Sequence, residues 1–228
     1  MPALREHPLP DTLPLFPLSG VLLLPRGRLP LNVFEPRYLN MTEDALAAGR
    51  LIGMIQPIEP DGSAAGPPPG ATGALPAPIL YDTGCAGRIS SFAETEDGRY
   101  LITLTGVTRF RLGTEIATTR GYRRAQVDWS PFAEDLAPAV EGGLDRQRLA
   151  TVLGAYFRQH HIDANWETIE RLGDERLVTS LSMSCPFDAR EKQALLEAPD
   201  LDRRAKLLLA LIEMAVHETG EGDSPARH

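Results

Sequence analysis

The sequence of 228 residues has only two lysines, Lys192 and Lys206, and neither follows a glycine. A phosphate-binding loop of the Walker type needs Gly-Lys followed by Ser or Thr, because the lysine amine must reach the β- and γ-phosphates. ATP hydrolysis by that route is therefore excluded. A Gly-x-Ser-x-Gly nucleophile elbow is missing, and no Cys/His cluster has metal-ligand spacing. The sequence predicts no enzyme site, no cofactor and no metal.

Cysteine is as scarce as lysine. Cys85 and Cys185 are 100 positions apart and form no CxxC pair, which predicts two free, part-buried thiols in a reducing compartment. The N-terminus lacks the pattern of a signal peptide, and the longest apolar run is broken by proline and shorter than the roughly 20 residues that span a bilayer. We therefore expect a cytoplasmic protein that does not enter the membrane. The net charge of −8 argues against a nucleic-acid partner.

The stretch Leu13–Tyr38 is apolar but contains four prolines before its final Glu-Pro-Arg-Tyr. Prolines at that spacing exclude a helix, because each one removes a backbone donor and clashes with the preceding turn. The pattern predicts strands at Leu13–Phe16 and Leu31–Phe34, joined by a stiff crossover. A helix is expected to begin at Pro36 and to end at Gly49.

Further strands are predicted from the residue pattern at Leu51–Gln56, Ile89–Phe92, Tyr100–Val107 and Arg124–Trp129. After Val107 the alternation resumes, with Arg109 and Arg111 alternating with Phe110 and Leu112. Asp97-Gly98 fits a hairpin turn before Tyr100. The segment 57–78 is rich in Pro and Gly and is expected to be a mobile surface loop. Together these patterns predict a mostly antiparallel sheet, curled or closed, over residues 1–130.

After residue 130 the sequence becomes helical. Residues 131–143 are predicted to be a linker, 144–219 a helical bundle and 220–228 a disordered tail. Apolar residues recur at i, i+3, i+4 and i+7, and helix starts are expected at four acidic caps, namely Asp145, Asp174, Asp188 and Asp200. The predicted fold class is α+β, with a β-rich domain followed by an all-α bundle.

Few residues are candidates for hydrolytic chemistry. Ser182 or Ser184 could pair with Lys192, and Cys185 could act as a nucleophile if it had a basic partner. His160 and His161 are adjacent, so on a helix they point about 100° apart and do not chelate one ion. We expect solvated or core roles for all of these residues, and a cryptic hydrolase is the weakest hypothesis.

Four arginines could form a cationic patch on neighbouring strands: Arg88, Arg99, Arg109 and Arg111. An RNA-binding surface would also need aromatic side chains on the same face. Phe110 is predicted to lie on the opposite face from Arg109 and Arg111. RNA binding is therefore kept as an alternative to the main hypothesis.

The chain resembles the substrate-binding (N-terminal) domain family of the ATP-dependent protease Lon. The resemblance rests on Leu13–Tyr38, on Leu51–Ile55, on Gly84–Ile89 and on Thr105–Arg111, and it continues into the helical run 181–208. It is similar above all to stand-alone bacterial forms that lack the ATPase and protease modules. The resemblance implies a PUA-like β pseudo-barrel followed by a helical bundle. The Pro/Gly-rich segment 57–78 departs from the family pattern.

The resemblance also implies a function. It implies a non-catalytic module that recognises unfolded or exposed protein segments, as an adaptor in protein quality control or as a partner of a protease or chaperone. The candidate ligand-binding residues are Phe34, Glu35, Arg37, Tyr38, Arg109 and Arg111. The alternative is that Phe34 and Tyr38 belong to the core and that Glu35 and Arg37 form a local ion pair. The oligomeric state and the identity of the partner stay open.

Overall fold

The computed structural model describes residues 9–58, 78–137, 144–159 and 166–221, and the chain divides into two compact units, 1–136 and 137–228. Of the loop predicted at 57–78, only the two ends are described. Pro57 and Leu80 form an isolated β-bridge there. The rest of that loop, His160 and His161 lie outside the described residues.

The first unit contains six strands, one helix and a short 3₁₀ segment. They are β1 (Thr12–Pro17), β2 (Arg28–Val33), α1 (Pro36–Ala47), β3 (Leu51–Ile55), β4 (Thr83–Glu94), β5 (Tyr100–Ile116), β6 (Arg123–Asp128) and the 3₁₀ segment Ser130–Leu136. The predicted start of α1 at Pro36 is confirmed. Gly49, which follows the helix, has a φ of 86°, a left-handed conformation that glycine adopts without strain.

The sheet is mixed and closes into a ring. Its strand order is β2-β5-β4-β3-β1-β6, and a further pairing of β5 with β6 joins the two sides. The pair β1–β3 is parallel and all other pairs are antiparallel. Within the described ranges, β2 pairs with β5 alone and so lies outside the ring. The predicted fold class, a β pseudo-barrel with one helix and a following helical unit, is confirmed.

The interior of the ring is apolar. Its buried side chains are Leu13, Leu15, Leu51, Ile55, Leu80, Ala86, Phe110 and Ala125. The ring of Phe110 is fully buried and meets Trp129 edge to face, with ring centroids 6.1 Å apart. This contact lies where β5 pairs with β6 to close the ring, so two large aromatic side chains pack together at that junction.

The crossover between β1 and β2 runs directly over β5 at Gly106. Arg26 N–H donates to the Gly106 carbonyl at 2.8 Å, and Gly106 N–H donates to the Gly27 carbonyl at 2.9 Å. A Cβ atom at position 106 would lie 2.0 Å from the Leu24 carbonyl oxygen. The backbones can therefore cross this closely only because residue 106 has no side chain.

The 3₁₀ segment occupies the beginning of the predicted linker. Thr108 Oγ1 donates to the Phe132 carbonyl at 3.3 Å, and Arg26 Nη2 donates to the Asp135 carbonyl at 3.1 Å. Residues 131–136 are thus bonded to β5 and to the crossover, and they belong to the β-rich unit. Of the remaining linker residues, only Ala137 is described.

The second unit consists of helices. They are α2 (Arg146–Gln159), α3 (Trp166–Arg171), α4 (Asp174–Ser184), α5 (Ala189–Glu197) and α6 (Leu201–Glu221). Their inward faces carry buried apolar side chains, among them Leu149, Leu153, Leu177, Val178, Leu195, Leu208 and Ile212. The helix α6 includes the first two residues of the predicted tail, and 222–228 lie outside the described residues.

Three of the four predicted caps are confirmed. Asp145 and Asp200 accept hydrogen bonds from the backbone N–H groups three residues on, and Asp188 forms a full capping box with Glu191. The cap predicted at Asp174 is wrong, because Gly173 occupies the cap position. The Asp174 carboxylate instead accepts from Arg146 Nε at 2.6 Å, which joins α4 to α2.

Candidate functional site

Part of the sheet extends beyond the ring as a three-stranded platform. It consists of β2, the first half of β5 and the last residues of β4, in register through Asn32, Leu101 and Ala93 and through Pro30, Thr103 and Ser91. Residues directly opposite one another share a face of the sheet. We call this the platform face and define it by Pro30, Asn32, Phe34, Ser91, Ala93, Leu101 and Thr103.

The platform face holds a shallow depression of about 400 Å³. It is lined by residues of all three strands, among them the small residues Ser91, Ala93 and Thr103. Leu101 is 46% exposed beside it, and Phe34, the residue that follows β2, is 61% exposed. Large exposed apolar side chains around a concave surface are typical of a binding site.

The opposite face of the platform is largely buried, except at the outer edge of β4, where Phe92 and Glu94 lie opposite Ile102 and Tyr100 and are exposed. It carries Val33, Ile89, Ile102 and Leu104, each at most 2% exposed. Tyr100 lies at the end of this face, and its hydroxyl donates to Glu43 Oε1 of α1 at 3.1 Å. Since side chains alternate along a strand, burial of this face leaves the platform face directed to solvent.

Phe34 and Tyr38, two of the predicted ligand-binding residues, have different environments. Tyr38 is 7% exposed, and its ring centroid lies 4.2 Å from that of Phe16. Burial raises the pKa of Tyr38 above its usual value. Tyr38 is therefore a core residue, as the alternative hypothesis predicts, whereas the expectation that Phe34 is also core is wrong.

Glu35 and Arg37 bind each other. The Arg37 Nε and Nη2 atoms donate to Glu35 Oε2 at 2.9 and 2.7 Å. The Arg37 guanidinium also lies 4.6 Å from the centre of the Tyr38 ring. The predicted local ion pair is confirmed, and it fixes the turn between β2 and α1 beside the exposed Phe34.

Arg109 and Arg111 do not share a site with Phe34. They lie eight and ten residues further along β5 than Leu101, or roughly 26 and 33 Å of strand. Arg109 is 3% exposed and forms a bidentate ion pair with Asp135, while Arg111 is exposed. The six predicted residues therefore fall into two separate regions, and only Phe34 belongs to the platform face.

The predicted cationic patch is not assembled as a free surface. Arg88 Nη1 donates to the Gly49 carbonyl at 2.8 Å, and Arg99 Nε lies 2.8 Å from Asp97 Oδ2. Arg109 is buried against Asp135. Arg99 and Arg109 thus have carboxylate partners that offset the positive charge attracting a phosphate backbone, and Arg88 is bonded to a backbone carbonyl.

The hydrolase candidates lie in the helical unit. Burial raises the pKa of the Cys185 thiol to about 11, although the nearby Tyr156 hydroxyl and Lys192 act in the opposite direction. A nucleophilic cysteine needs a lowered pKa. Ser182 is fully buried, and Ser184 is exposed. Burial lowers the pKa of Lys192. His160 lies outside the described residues.

No three His, Cys, Asp or Glu residues among the described ranges are grouped so as to hold a metal ion. In the same part of the chain, no helix has both the length and the apolar character needed to cross a membrane.

Leu101 and Pro30 of the platform face were not predicted as site residues. The signal was present, because alternation places Leu101 on the same face as Thr103 and Thr105, opposite Ile102 and Leu104. A large apolar residue on a face with threonines is a reason to expect exposure. That signal does not reveal Phe34 as its neighbour, since β2 and β5 are about 70 residues apart.

Comparison with known proteins places these features in a family. The family model described as the ATP-dependent protease La (LON) substrate-binding domain matches residues 12–214. Lon protease 2 of Sorangium cellulosum is 29% identical over 223 residues, covering 92% of this chain and 26% of that protein. Lon protease 2 of Myxococcus xanthus is 27% identical and has similar coverage, 92% and 24%. The chain thus spans about a quarter of these relatives.

Solved structures agree. The Lon N-terminal domain protein from Xanthomonas campestris is 25% identical, with a TM-score of 0.57, and the match covers 87% of this chain and 97% of that one. The N-terminal domain of the Mycobacterium avium complex Lon protease is 14% identical, also with a TM-score of 0.57, covering 89% and 98%, and it supports the fold alone. Because the family model covers most of the sequence, the chain belongs to the Lon substrate-binding domain family.

Proposed function

We propose that this chain is a non-catalytic polypeptide-binding module that takes unfolded or exposed protein segments on its platform face. The observation that carries the proposal is the exposure of Phe34 and Leu101 on one face of the sheet, together with the depression that Leu101 helps to line. Membership of a substrate-binding family supports a role in substrate binding.

The physical basis is burial of apolar surface. Each exposed apolar side chain that a ligand covers contributes roughly 25 cal/mol per Å² of area removed from water. Folded proteins hide their apolar side chains, whereas unfolded ones present them. A surface built on Phe34 and Leu101 therefore selects unfolded segments over folded domains, without needing a defined sequence. The exposed Glu35–Arg37 pair beside Phe34 adds a polar rim.

The partners follow from this selectivity. Unfolded or partly folded polypeptides are the ligands, and a protease or chaperone that receives them is the second partner, which makes the chain an adaptor in protein quality control. The proposal places it in the cytoplasm. Cys85 and Cys185 are buried thiols that form no disulfide bond, which fits a reducing compartment.

The test is binding to one protein in two states. A labelled client is kept unfolded by reduction and alkylation of its cysteines, and its anisotropy is measured with increasing amounts of this chain. The folded client serves as the control. We expect saturable binding to the unfolded form alone. Equal binding to both forms, or none at tens of micromolar, contradicts the proposal. A parallel titration with structured RNA at low salt tests the alternative function.

A further inference from the structure

We propose that a bound polypeptide segment adds as an extra antiparallel β-strand to the outer edge of β4 at Phe92 and Glu94, with an apolar residue directly opposite Phe92 and a basic residue directly opposite Glu94. This inference deepens the proposed function and rests on it. Phe92 and Glu94 pair with Ile102 and Tyr100, so their side chains lie on the face opposite the platform face, and alternate residues of the added strand lie on the platform face beside Ser91 and Ala93.

The edge of β4 becomes free where β3 begins. Along β4, Cys85 to Arg88 pair with β3, and Leu51 is the first residue of β3. Ile89 N–H still donates to the Arg50 carbonyl at 2.8 Å. Beyond that bond, no strand in the described part of the chain pairs with this side of β4. Unpaired strand edges are templates for the addition of another strand.

The register identifies which backbone groups face outward. Thr95 N–H donates to the Arg99 carbonyl at 2.9 Å, which sets the alternation of hydrogen-bonded and non-bonded pairs along β4 and β5. Ala93 and Ser91 therefore direct their backbone groups toward β5. Phe92 and Glu94 direct theirs away, so this edge offers two N–H donors and two C=O acceptors.

The edge of β2 on the other side of the platform is less suitable. Gly106 N–H bonds the Gly27 carbonyl, so Arg28, Pro30 and Asn32 are the β2 residues whose backbone groups face outward. Proline has no backbone N–H, so Pro30, the middle one of these three residues, offers no hydrogen-bond donor to an added strand. Proline on an edge strand discourages pairing. The same platform therefore has one blocked edge and one open edge.

Side chains along the open edge specify the segment. Phe92 is 41% exposed, and its ring contacts Tyr100 edge to face at 5.0 Å, which leaves apolar surface for a neighbouring strand. Glu94 and Glu96 are exposed, and no ion pair involves either of them among the described residues. A residue opposite Glu94 shares its face of the sheet, so a basic side chain is complementary there. A second copy of this chain would bring further carboxylates.

The test measures exchange of backbone amide hydrogens by NMR on the full chain, free and with a short capped peptide that alternates Thr with Val and Arg. We expect the Phe92 and Glu94 amides to become protected on binding, while those of Arg28 and Asn32 stay unchanged. N-methylation of the Val and Arg amides should weaken binding by at least about tenfold, because it removes the bonds to this edge. N-methylation of the Thr amides is the matched control and should be tolerated. Glu94→Gln should reduce the salt dependence of binding.

Other results overturn the inference. If the peptide binds without protecting Phe92 and Glu94, or if an unfolded protein binds and the peptide does not, strand addition is wrong while the proposed function stands. Protection at Arg28 and Asn32 would place the segment on β2. Protection that rises with protein concentration alone would make a second copy the occupant. If neither peptide nor unfolded protein binds, both proposals fail.

Discussion

The guanidinium of Arg109 and the carboxylate of Asp135 form a bidentate ion pair in which both side chains are almost fully buried. Arg109 Nη2 lies 2.8 Å from Asp135 Oδ1, and Arg109 Nε donates to Asp135 Oδ2 at 2.9 Å. The backbone N–H of Arg109 donates to the same Oδ2 atom, also at 2.9 Å. The pair joins β5 to the 3₁₀ segment, and the Arg109 guanidinium lies 4.7 Å from the centre of the Phe132 ring.

Removal of one partner should destabilise the β-rich unit strongly. We expect Asp135→Asn or Arg109→Met to lower its free energy of unfolding by about 3–5 kcal/mol, because a buried charge is left without compensation. The double variant should lose less than the sum of the two single variants. Urea unfolding followed by Trp129 fluorescence, in a Trp166→Phe background, isolates this unit. An additive double variant would show that the two side chains do not interact.

Gly106→Ala should be among the most damaging small substitutions. The new methyl group would lie 2.0 Å from the Leu24 carbonyl, and backbone cannot move aside as a flexible side chain can. We expect a loss of about 3 kcal/mol or more in the same unfolding measurement. Gly154→Ala in α2 is the control, because its Cβ meets nothing closer than 3.6 Å. The Gly154→Ala substitution should stabilise the helical unit by roughly 0.5–1 kcal/mol. Its unfolding is measured by Trp166 fluorescence in a Trp129→Phe background.

The platform face should lose affinity for unfolded protein when its apolar side chains are replaced. Phe34→Ser combined with Leu101→Thr removes two exposed apolar side chains while keeping a strand-compatible residue in β5. We expect binding to weaken by about tenfold or more, with little change in stability, because both side chains are exposed. Ile116→Thr, at the far end of β5 and 39% exposed, is the matched control. If Ile116→Thr lost as much affinity for unfolded protein as the Phe34→Ser, Leu101→Thr variant, the platform face would not be the binding surface.

The helical unit should become less stable in alkaline solution. Burial raises the pKa of Cys185 from 9.0 to about 11, so the folded state favours the protonated thiol. The stabilisation is fully present below pH 9 and is lost as the pH rises to 11, by up to about 3 kcal/mol. Unfolding followed by Trp166 fluorescence should show this decline. The Cys185→Ala substitution should make this loss of stability with pH smaller but should not remove it. The remainder comes from Tyr156, because burial also raises the pKa of that residue. If the free energy of unfolding of Cys185→Ala fell with pH as steeply as that of the unsubstituted chain, Cys185 would not be the group responsible.

Local patterns in the sequence predict much of the fold. Pro36, the capping box at Asp188 and Glu191, and the turn at Asp97-Gly98 act within a few residues, and each is where the sequence places it. The helix cap predicted at Asp174 is wrong by one residue, because Gly173 occupies the cap position. Its carboxylate is used by Arg146, whose position 28 residues earlier in the chain no local pattern can reveal.

The candidate site was harder to predict because it depends on tertiary contacts. Phe34 and Tyr38 are both aromatic and lie four residues apart, yet one is exposed and the other stacks on Phe16. Arg109 follows the alternation of an exposed strand residue, and it is buried only because the 3₁₀ segment covers it. When a later segment of the chain covers a polar residue of a strand, the local alternation of polar and apolar residues does not show it.

Closure of the ring has a consequence for how the chain folds. Thr12 in β1 pairs with Gln126 in β6, so the strand nearest the N-terminus receives its antiparallel partner only after more than 110 further residues have been made. Contacts between residues so far apart in sequence slow folding, since the long loop must close before they form. A nascent chain that ends before Asp128 exposes the unpaired side of β1. Until β6 emerges from the ribosome, the chain is itself an incompletely folded polypeptide.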